Sequence, residues 1–417
     1  MFERWVNREH DRARLESSSL CWKLVSFATT LESEGYAPRT LRRYLFAAEA
    51  FGRWLDQRKW AIEDVDESRL MKRLGSFRRQ RVAGRPRGRL PDAASGLRKF
   101  AEVLRAQGDL DLFVPEAATP VEKWVAAFDR HLSQVAGLSA GTRRIYGRYA
   151  QALLADSFGE GVPNWSELDA DKVGEFVRAK ALGLKPSSCR APVTATRTLL
   201  RFLVNQGLVA AGLEGAVPTV RQWKHASLPN YISTEQVAAV IAACSEATPI
   251  GRRDRAIVAT LAGLGMRASE VASLRLDDIR WRDGVVFVQG VKSGRERLLP
   301  WPAEVGAAVA AYLREGRPRS GRREVFLAAL APHQALGAAS IGSVAGRALT
   351  RAGIHTARCG AHVFRHTVAT RMVRAGATFK DIADVLGHAR IETTSIYAKL
   401  DVQMLAAVAL PWPEVGQ

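Results

Sequence analysis

The sequence predicts a mainly α protein with one small β element. Three observations lead there. Apolar residues recur at helical spacing through almost every segment, as in TRTLLRFLVNQG and TEQVAAVIAAC. Alternation suited to strands is confined to one place, WRDGVVFVQG followed by a turn at VKSGRE and then RLLPW. The N-terminal half repeats one helical pattern, which argues for two related helical domains.

The repeat runs as follows. Residues 27–60 and 128–165 each read as an apolar helix, a glycine, a Ser/Thr-containing start signal and a basic helix. Thr40 and Tyr44 are spaced like Thr142 and Tyr146, 102 positions on. LRKFAEVLRAQGDL (97–110) mirrors TRTLLRFLVNQGLV (196–209), each stopping at Gln-Gly, where glycine suits a helix end. The expected domains are 1–114 and 116–222, divided at the Pro/Ala-rich VPEAATPVEKW. A second linker, VPTVRQWKHASLPNYIS, leads to a third domain, 229–417, which opens with a helix capped at Ser233 or Thr234. That domain continues through the buried helix RRDRAIVATLAGLGM and the hairpin to AEVGAAVAAYLREG, SIGSVAGRALTRAG, HVFRHTVATRMVRAG, TFKDIADVLG and TTSIYAKLD.

With 417 residues and 47% hydrophobic content the chain has material for several packed cores. A net charge of +19 points to a polyanionic partner, nucleic acid first. No apolar run approaches the roughly 20 residues of a membrane span. The opening MFERWVNREHDRAR lacks the apolar stretch of a signal peptide, so a cytoplasmic location is expected. Cys21, Cys189, Cys244 and Cys359 form no CxxC pair, which argues against a zinc ribbon or a disulfide framework.

Charge is concentrated in KRLGSFRRQRVAGRPRGR (72–89), where Arg78, Arg79, Arg81, Arg85 and Arg87 lie with no acidic residue among them. Its glycines and proline suit an arm that follows phosphates or enters a minor groove. Arg42 and Arg43, and in the second repeat Arg143 and Arg144, stand near the starts of basic helices read as Thr-capped, and are candidate contacts to the DNA backbone.

The chemistry lies in the last third. Arg267, Lys292, His362, Arg365, His388 and Tyr397 follow one another in order. Cleaving a phosphodiester with a tyrosine requires cations for the extra negative charge on the non-bridging oxygens, and guanidinium forks suit that need. The phenol must lose a proton, and the departing 5′ oxygen must gain one. Protein cations can do the stabilising work without a metal. Each residue alone would ordinarily be a surface or packing residue; their joint order is what carries meaning. His366, Arg371, Arg374 and Lys399 have no such support and read as exposed or packing residues.

The segments LAGLGMRASEVASL, VKSGRERLLP, AHVFRHTVATRMVRAG and IADVLGHARIETTSIYAKL resemble the catalytic domain of the tyrosine recombinases, the phage-type integrase and Xer group. The resemblance covers about residues 229–410. It implies two helical, SAM-like DNA-binding domains before a mainly helical catalytic domain with a small antiparallel sheet; 116–222 is similar, more loosely, to the family's core-binding domain. It implies Tyr397 as nucleophile forming a 3′-phosphotyrosyl bond, Arg267 and Arg365 on the scissile phosphate, and Lys292 as general acid. His362 would take part in proton transfer with the nucleophile, His388 would meet a non-bridging oxygen, and Glu270 would support Arg267. No cofactor is implied. The implied partners are double-stranded DNA with a specific recombination site and a homo-tetramer on synapsed DNA, alone or with related recombinases, in the bacterial cytoplasm. The alternatives are a type IB topoisomerase and a catalytically idle DNA-binding protein. The long N-terminal region favours a mobile element, and the apolar tail after Tyr397 suggests docking on a neighbouring protomer.

Overall fold

The structure is a computed structural model that describes residues 1–60, 62, 90–109, 119–159, 161–184, 188–219, 230–290, 296–356, 359–388 and 393–400. The basic arm at 72–89, with Arg78, Arg79, Arg81, Arg85 and Arg87, lies outside the described residues, as do Lys292, parts of both linkers and the tail beyond 400.

Two helical segments have the same design. The first contains α1 (Glu9–Glu16), α2 (Cys21–Ser33), α3 (Pro38–Asp56) and α4 (Leu90–Ala106). The second contains α5 (Pro120–Gln134), α6 (Ala140–Phe158), α7 (Ala170–Ala181) and α8 (Arg190–Asn205). α3 and α6 are both 19 residues long, and they begin 102 positions apart, at 38 and 140. α3 packs on α4, and α6 on α8. Phe27 meets Phe100 at 5.0 Å between ring centroids in the first core, and Phe128 meets Phe202 at 5.5 Å in the second. α4 and α8 both run out into Gln-Gly, where Gly108 (φ 77°) and Gly207 (φ 70°) take the left-handed turn that spares a glycine the Cβ clash.

The helix starts differ from expectation. Thr40 and Thr142 are not caps. α3 opens at Ala37 with Pro38 in its first turn, where a missing amide proton costs nothing, and α6 is capped by Ser139, whose hydroxyl accepts from the Thr142 amide at 3.4 Å. Arg43 and Arg144 are exposed, whereas Arg143 turns back to Asp129 at 3.4 Å.

The remaining described chain holds α9 (Thr234–Ala242), α10 (Pro249–Leu264), α11 (Ala268–Ser273), a sheet, α12 (Ala303–Glu315), α13 (Ala338–Arg351), α14 (Ala361–Arg374), α15 (Phe379–Leu386) and a 3-10 segment, Ser395–Leu400. Ser233 caps α9 in a reciprocal pair with Gln236. The sheet is antiparallel in the order β1 (Ile279–Arg280), β2 (Val285–Val288), β3 (Arg297–Pro300), with Val286 opposite Ile279 and Leu299. α10 is the hub: it is buried on nearly every side and packs against α9, α12, α13 and α14. A hub of this kind fixes whatever leaves its C-terminus, and the chain leaves it at Gly265, Met266 and Arg267.

Contacts divide the chain into two compact units. One lies within Asp111–Lys224; the N-terminal helices and the chain from His225 onwards belong to the other. Truncating Phe128, fully buried in the core of the first of these, should destabilise that unit by about 3–5 kcal/mol. A Phe128→Ala urea titration that leaves the midpoint unmoved would contradict this packing.

Candidate active site

The site grows from two helix ends. α10 stops at Gly265 (φ 61°), and the next residues enter α11 with Arg267 at its N-cap. α15 stops at Gly387 (φ 65°), which turns the chain toward His388. The carbonyls at a helix end have no intrahelical partner and carry the negative end of the helix dipole. In α15 those of Ala383 and Asp384 are met by the backbone amides of Gly387 and His388. The next three carbonyls each receive one guanidinium. Arg297 Nε donates to Val385 O at 2.8 Å, Arg365 Nη2 to Leu386 O at 2.7 Å, and Arg267 Nη2 to Gly387 O at 3.0 Å.

One buried carboxylate ties this set together. Glu270 accepts from the Arg267 amide and from Arg267 Nη1, both at 2.8 Å, and from Arg297 Nη2 at 2.8 Å. Burial acts to raise its carboxyl, but the hydrogen bonds from Arg297 and the Arg267 amide outweigh it and hold Glu270 below the usual carboxylate value. Arg365 also donates to Gly265 O at 2.9 Å, which joins the two helix ends. Burial, with the Arg267 charge second, pushes Arg365 down to about 10, so it remains a cation at neutral pH. Three guanidiniums against one carboxylate leave a surplus of positive charge, the electrostatic setting of an anion site.

His388 is 4% exposed, and its Nδ1 lies 2.7 Å from the Thr394 hydroxyl. Burial, then the charges of Arg365 and Arg267, push its pKa down to about 4. The ring is therefore neutral at pH 7, with one nitrogen carrying the proton and the other able to accept one. Tyr397 is 1% exposed, packed with Val368, Val373, Ile382 and Leu386. Its hydroxyl lies 2.8 Å from Nδ1 of His366 on α14. Burial pushes the phenol up to about 12, against the lowering effect of Arg365.

The structure thus brings Arg267, Arg365 and His388 to the end of α15 and places Tyr397 against α14. His362 is on α14 and exposed, with its ring 6.4 Å from that of His366. Three contributors escaped the sequence reading: Arg297, Thr394 and His366. The reading of His366 as a packing or surface residue is corrected by its bond to the phenol. The available signal was its spacing, one helical turn after His362 on the same helix. Arg374, also read as exposed or packing, donates to the Tyr231 hydroxyl at 2.8 Å.

Comparison with known proteins places this arrangement. Residues 230–404 match the phage integrase family. The putative integrase/recombinase y4rA of Sinorhizobium fredii is 36% identical over 416 residues, 99% of either chain. The tyrosine recombinase XerD of Lacticaseibacillus casei is 30% identical over 296 residues, covering 68% of this chain and 96% of its own. In fold, the chain resembles the XerH site-specific recombinase in a post-cleavage complex with palindromic difH, with a TM-score of 0.55 at 18% identity over 72% of this chain and 99% of that one. It also resembles a lambda integrase dimer bound to a COC′ core site, with a TM-score of 0.52 at 13% identity over 76% and 89%. Fold and relatives together define an enzyme that cuts and rejoins DNA. The chain belongs to the phage integrase family of tyrosine recombinases.

The buried His388 makes stability pH-dependent. The unfolded chain takes up this proton near 6.5 and the folded one only near 4. Within that window the unfolded state binds more protons, so stability falls as pH is lowered from 6.5 towards 4 and is complete above 6.5. Urea midpoints at pH 5 and 7 should show wild type losing up to about 1.4 kcal/mol per pH unit through this group, and His388→Gln losing less. Equal slopes for the two proteins would refute a neutral, buried His388.

Proposed function

We propose that this recombinase acts through Tyr397, which attacks the scissile phosphate to give a 3′-phosphotyrosyl intermediate, with Arg267 and Arg365 binding the phosphate. His388 donates to a non-bridging oxygen, and Lys292, which falls between β2 and β3 in the sequence, protonates the leaving 5′ oxygen. His362 takes part in proton transfer at the nucleophile. The observation that carries this reading is the trio of guanidiniums on the last carbonyls of α15, held beside the neutral His388. Such a cluster stabilises charge that appears in the transition state and needs no reorganisation when it does. The covalent intermediate keeps the energy of the broken bond, so rejoining needs no nucleotide.

Strand exchange in this reading takes four protomers on two synapsed duplexes and proceeds through a Holliday junction. The chain works as three domains, 1–114, 116–222 and 229–417, the first two contacting DNA through their basic faces. The duplicated helical design and the net charge of +19 support that assignment, with Arg42, Arg43 and Arg144 as backbone contacts. Full-length similarity to a putative integrase/recombinase supports service to a mobile element in a bacterial cytoplasm, and the apolar tail after Tyr397 docks on a neighbouring protomer. The relatives favour this over topoisomerase-type relaxation or an idle site.

The deciding experiment uses nicked duplexes taken from DNA flanking the gene. Wild type should become covalently attached to one of them and Tyr397→Phe should not; binding without any adduct would sink the catalytic reading, and relaxation of any plasmid without recombinants would favour a topoisomerase. Arg42→Ala and Arg144→Ala should each lower the slope of log affinity against log salt by about one. An unchanged slope in either variant removes that arginine from the interface.

A further inference from the structure

Tyr397 enters its reaction as a buried phenol. At a pKa pushed up to about 12, only about one molecule in 10⁵ is ionised at neutral pH. A phenol so disfavoured as an anion needs a base in contact when its oxygen attacks. Among the described residues, the group that meets the hydroxyl is the ring of His366.

We propose that His366 is the proton acceptor for Tyr397. The proposal rests on the reading of Tyr397 as nucleophile and moves the proton-transfer role from His362 to the neighbouring imidazole. In the cleavage step the phenolic proton passes to Nδ1 of His366, the phenolate oxygen forms its bond to phosphorus, and the bond from phosphorus to the 5′ oxygen breaks. That oxygen takes a proton from Lys292. In rejoining, the 5′ hydroxyl gives its proton back to Lys292 and attacks, the bond from phosphorus to the phenolic oxygen breaks, and the imidazolium returns its proton to the phenolate.

The geometry suits this role. Nδ1 lies 2.8 Å from the phenolic oxygen, and the two rings meet at 60° with centroids 5.6 Å apart. Accepting the phenolic proton requires the tautomer with Nδ1 bare and the ring proton on Nε2. His366 follows Arg365 directly on α14, so the helix that carries a phosphate-binding guanidinium also carries the base. A displacement of one relative to the other would require deforming a packed helix.

Three charged or titratable groups lie around His366. Arg365 precedes it, His362 sits one turn earlier with its ring 6.4 Å away, and His388 feels the charge of His366 from the end of α15. Arg365 is the fixed cation among them. Its charge repels an imidazolium once formed, which helps return the proton when the strand is rejoined.

The test uses the full-length protein and the nicked duplex that traps wild type. His366→Ala should form the covalent adduct at least about 100-fold more slowly in single-turnover reactions, the range expected for loss of a general base. Its DNA affinity and urea midpoint should match wild type. Replacing Tyr397 with a fluorinated tyrosine, whose phenol is more acidic, should then recover at least tenfold of the loss, while having little effect when His366 is present. A duplex with sulfur in place of the 5′ bridging oxygen, which leaves without a proton, should rescue Lys292→Ala but not His366→Ala. A residue that merely held the tyrosine in place would respond to neither chemical change.

Adduct formation by His366→Ala at the wild-type rate overturns the proposal. So does a slow variant that the fluorinated tyrosine fails to speed while binding and midpoint hold. Should the alanine variant not fold, His366→Gln keeps a hydrogen-bonding side chain without a base and carries the same comparison. Absence of an adduct with wild type on every duplex would instead remove the functional reading beneath it.

Discussion

Three arginines converge on three consecutive carbonyls at the end of α15, and the rest of the candidate site is arranged around that meeting. Like charges repel, and bringing guanidiniums out of water is costly. Three features offset the cost here: the dipole end of a helix, one carboxylate, and rigid elements that deliver each side chain from a different direction. Arg267 comes from the cap of α11, Arg297 from β3 and Arg365 from the middle of α14. Glu270 joins two of them and sits one turn into α11, so the short helix exists as much to place this carboxylate as to pack. The left-handed Gly387 is part of the same device. A Cβ there would stand 2.7 Å from Arg297 Nη1, and the turn it makes delivers His388.

The same burial that gathers the cations also sorts the acid–base groups. It drives His388 to its neutral form and Tyr397 toward its protonated form, two shifts in opposite directions on the pH scale with one cause, since each disfavours the charged state. A neutral histidine can donate a hydrogen bond to an anion without adding a charge. A protonated, buried tyrosine is quiet until a phosphate and a base act on it together. In the proposed reaction such a phenol guards the DNA against unprompted cleavage.

The N-terminal half shows how a single helical plan can be used twice. The 19-residue helices, the Gln-Gly stops and the paired phenylalanines of the two cores agree at nearly constant spacing. The helix starts and one surface ion pair differ between the two segments. The two basic helices share their length but begin differently, one at Pro38 and the other under a Ser139 cap, and Arg143 is engaged by Asp129. Packing constrains the interior tightly, while solvent-facing positions are free to change.

By itself the sequence determined the helical class, the position of the small sheet among the described residues, the order of the candidate site residues and the doubled helical pattern. These are local properties, set by the period of apolar residues and by turn residues such as Gly387 and the Gln-Gly stops. Arg267 at a helix start and His388 after a helix stop were legible for the same reason. Tertiary structure decided which groups touch. Arg297 lies 27 residues from Glu270 and 88 from Val385, Thr394 meets His388 from 6 residues on, and His366 reaches a phenol 31 residues away. Such contacts depend on how helix ends and strands meet in space, and no periodicity along the chain encodes that. The thresholds of the chemistry were decided there too, since the shifts of Tyr397 and His388 arise from burial that only the packed structure supplies.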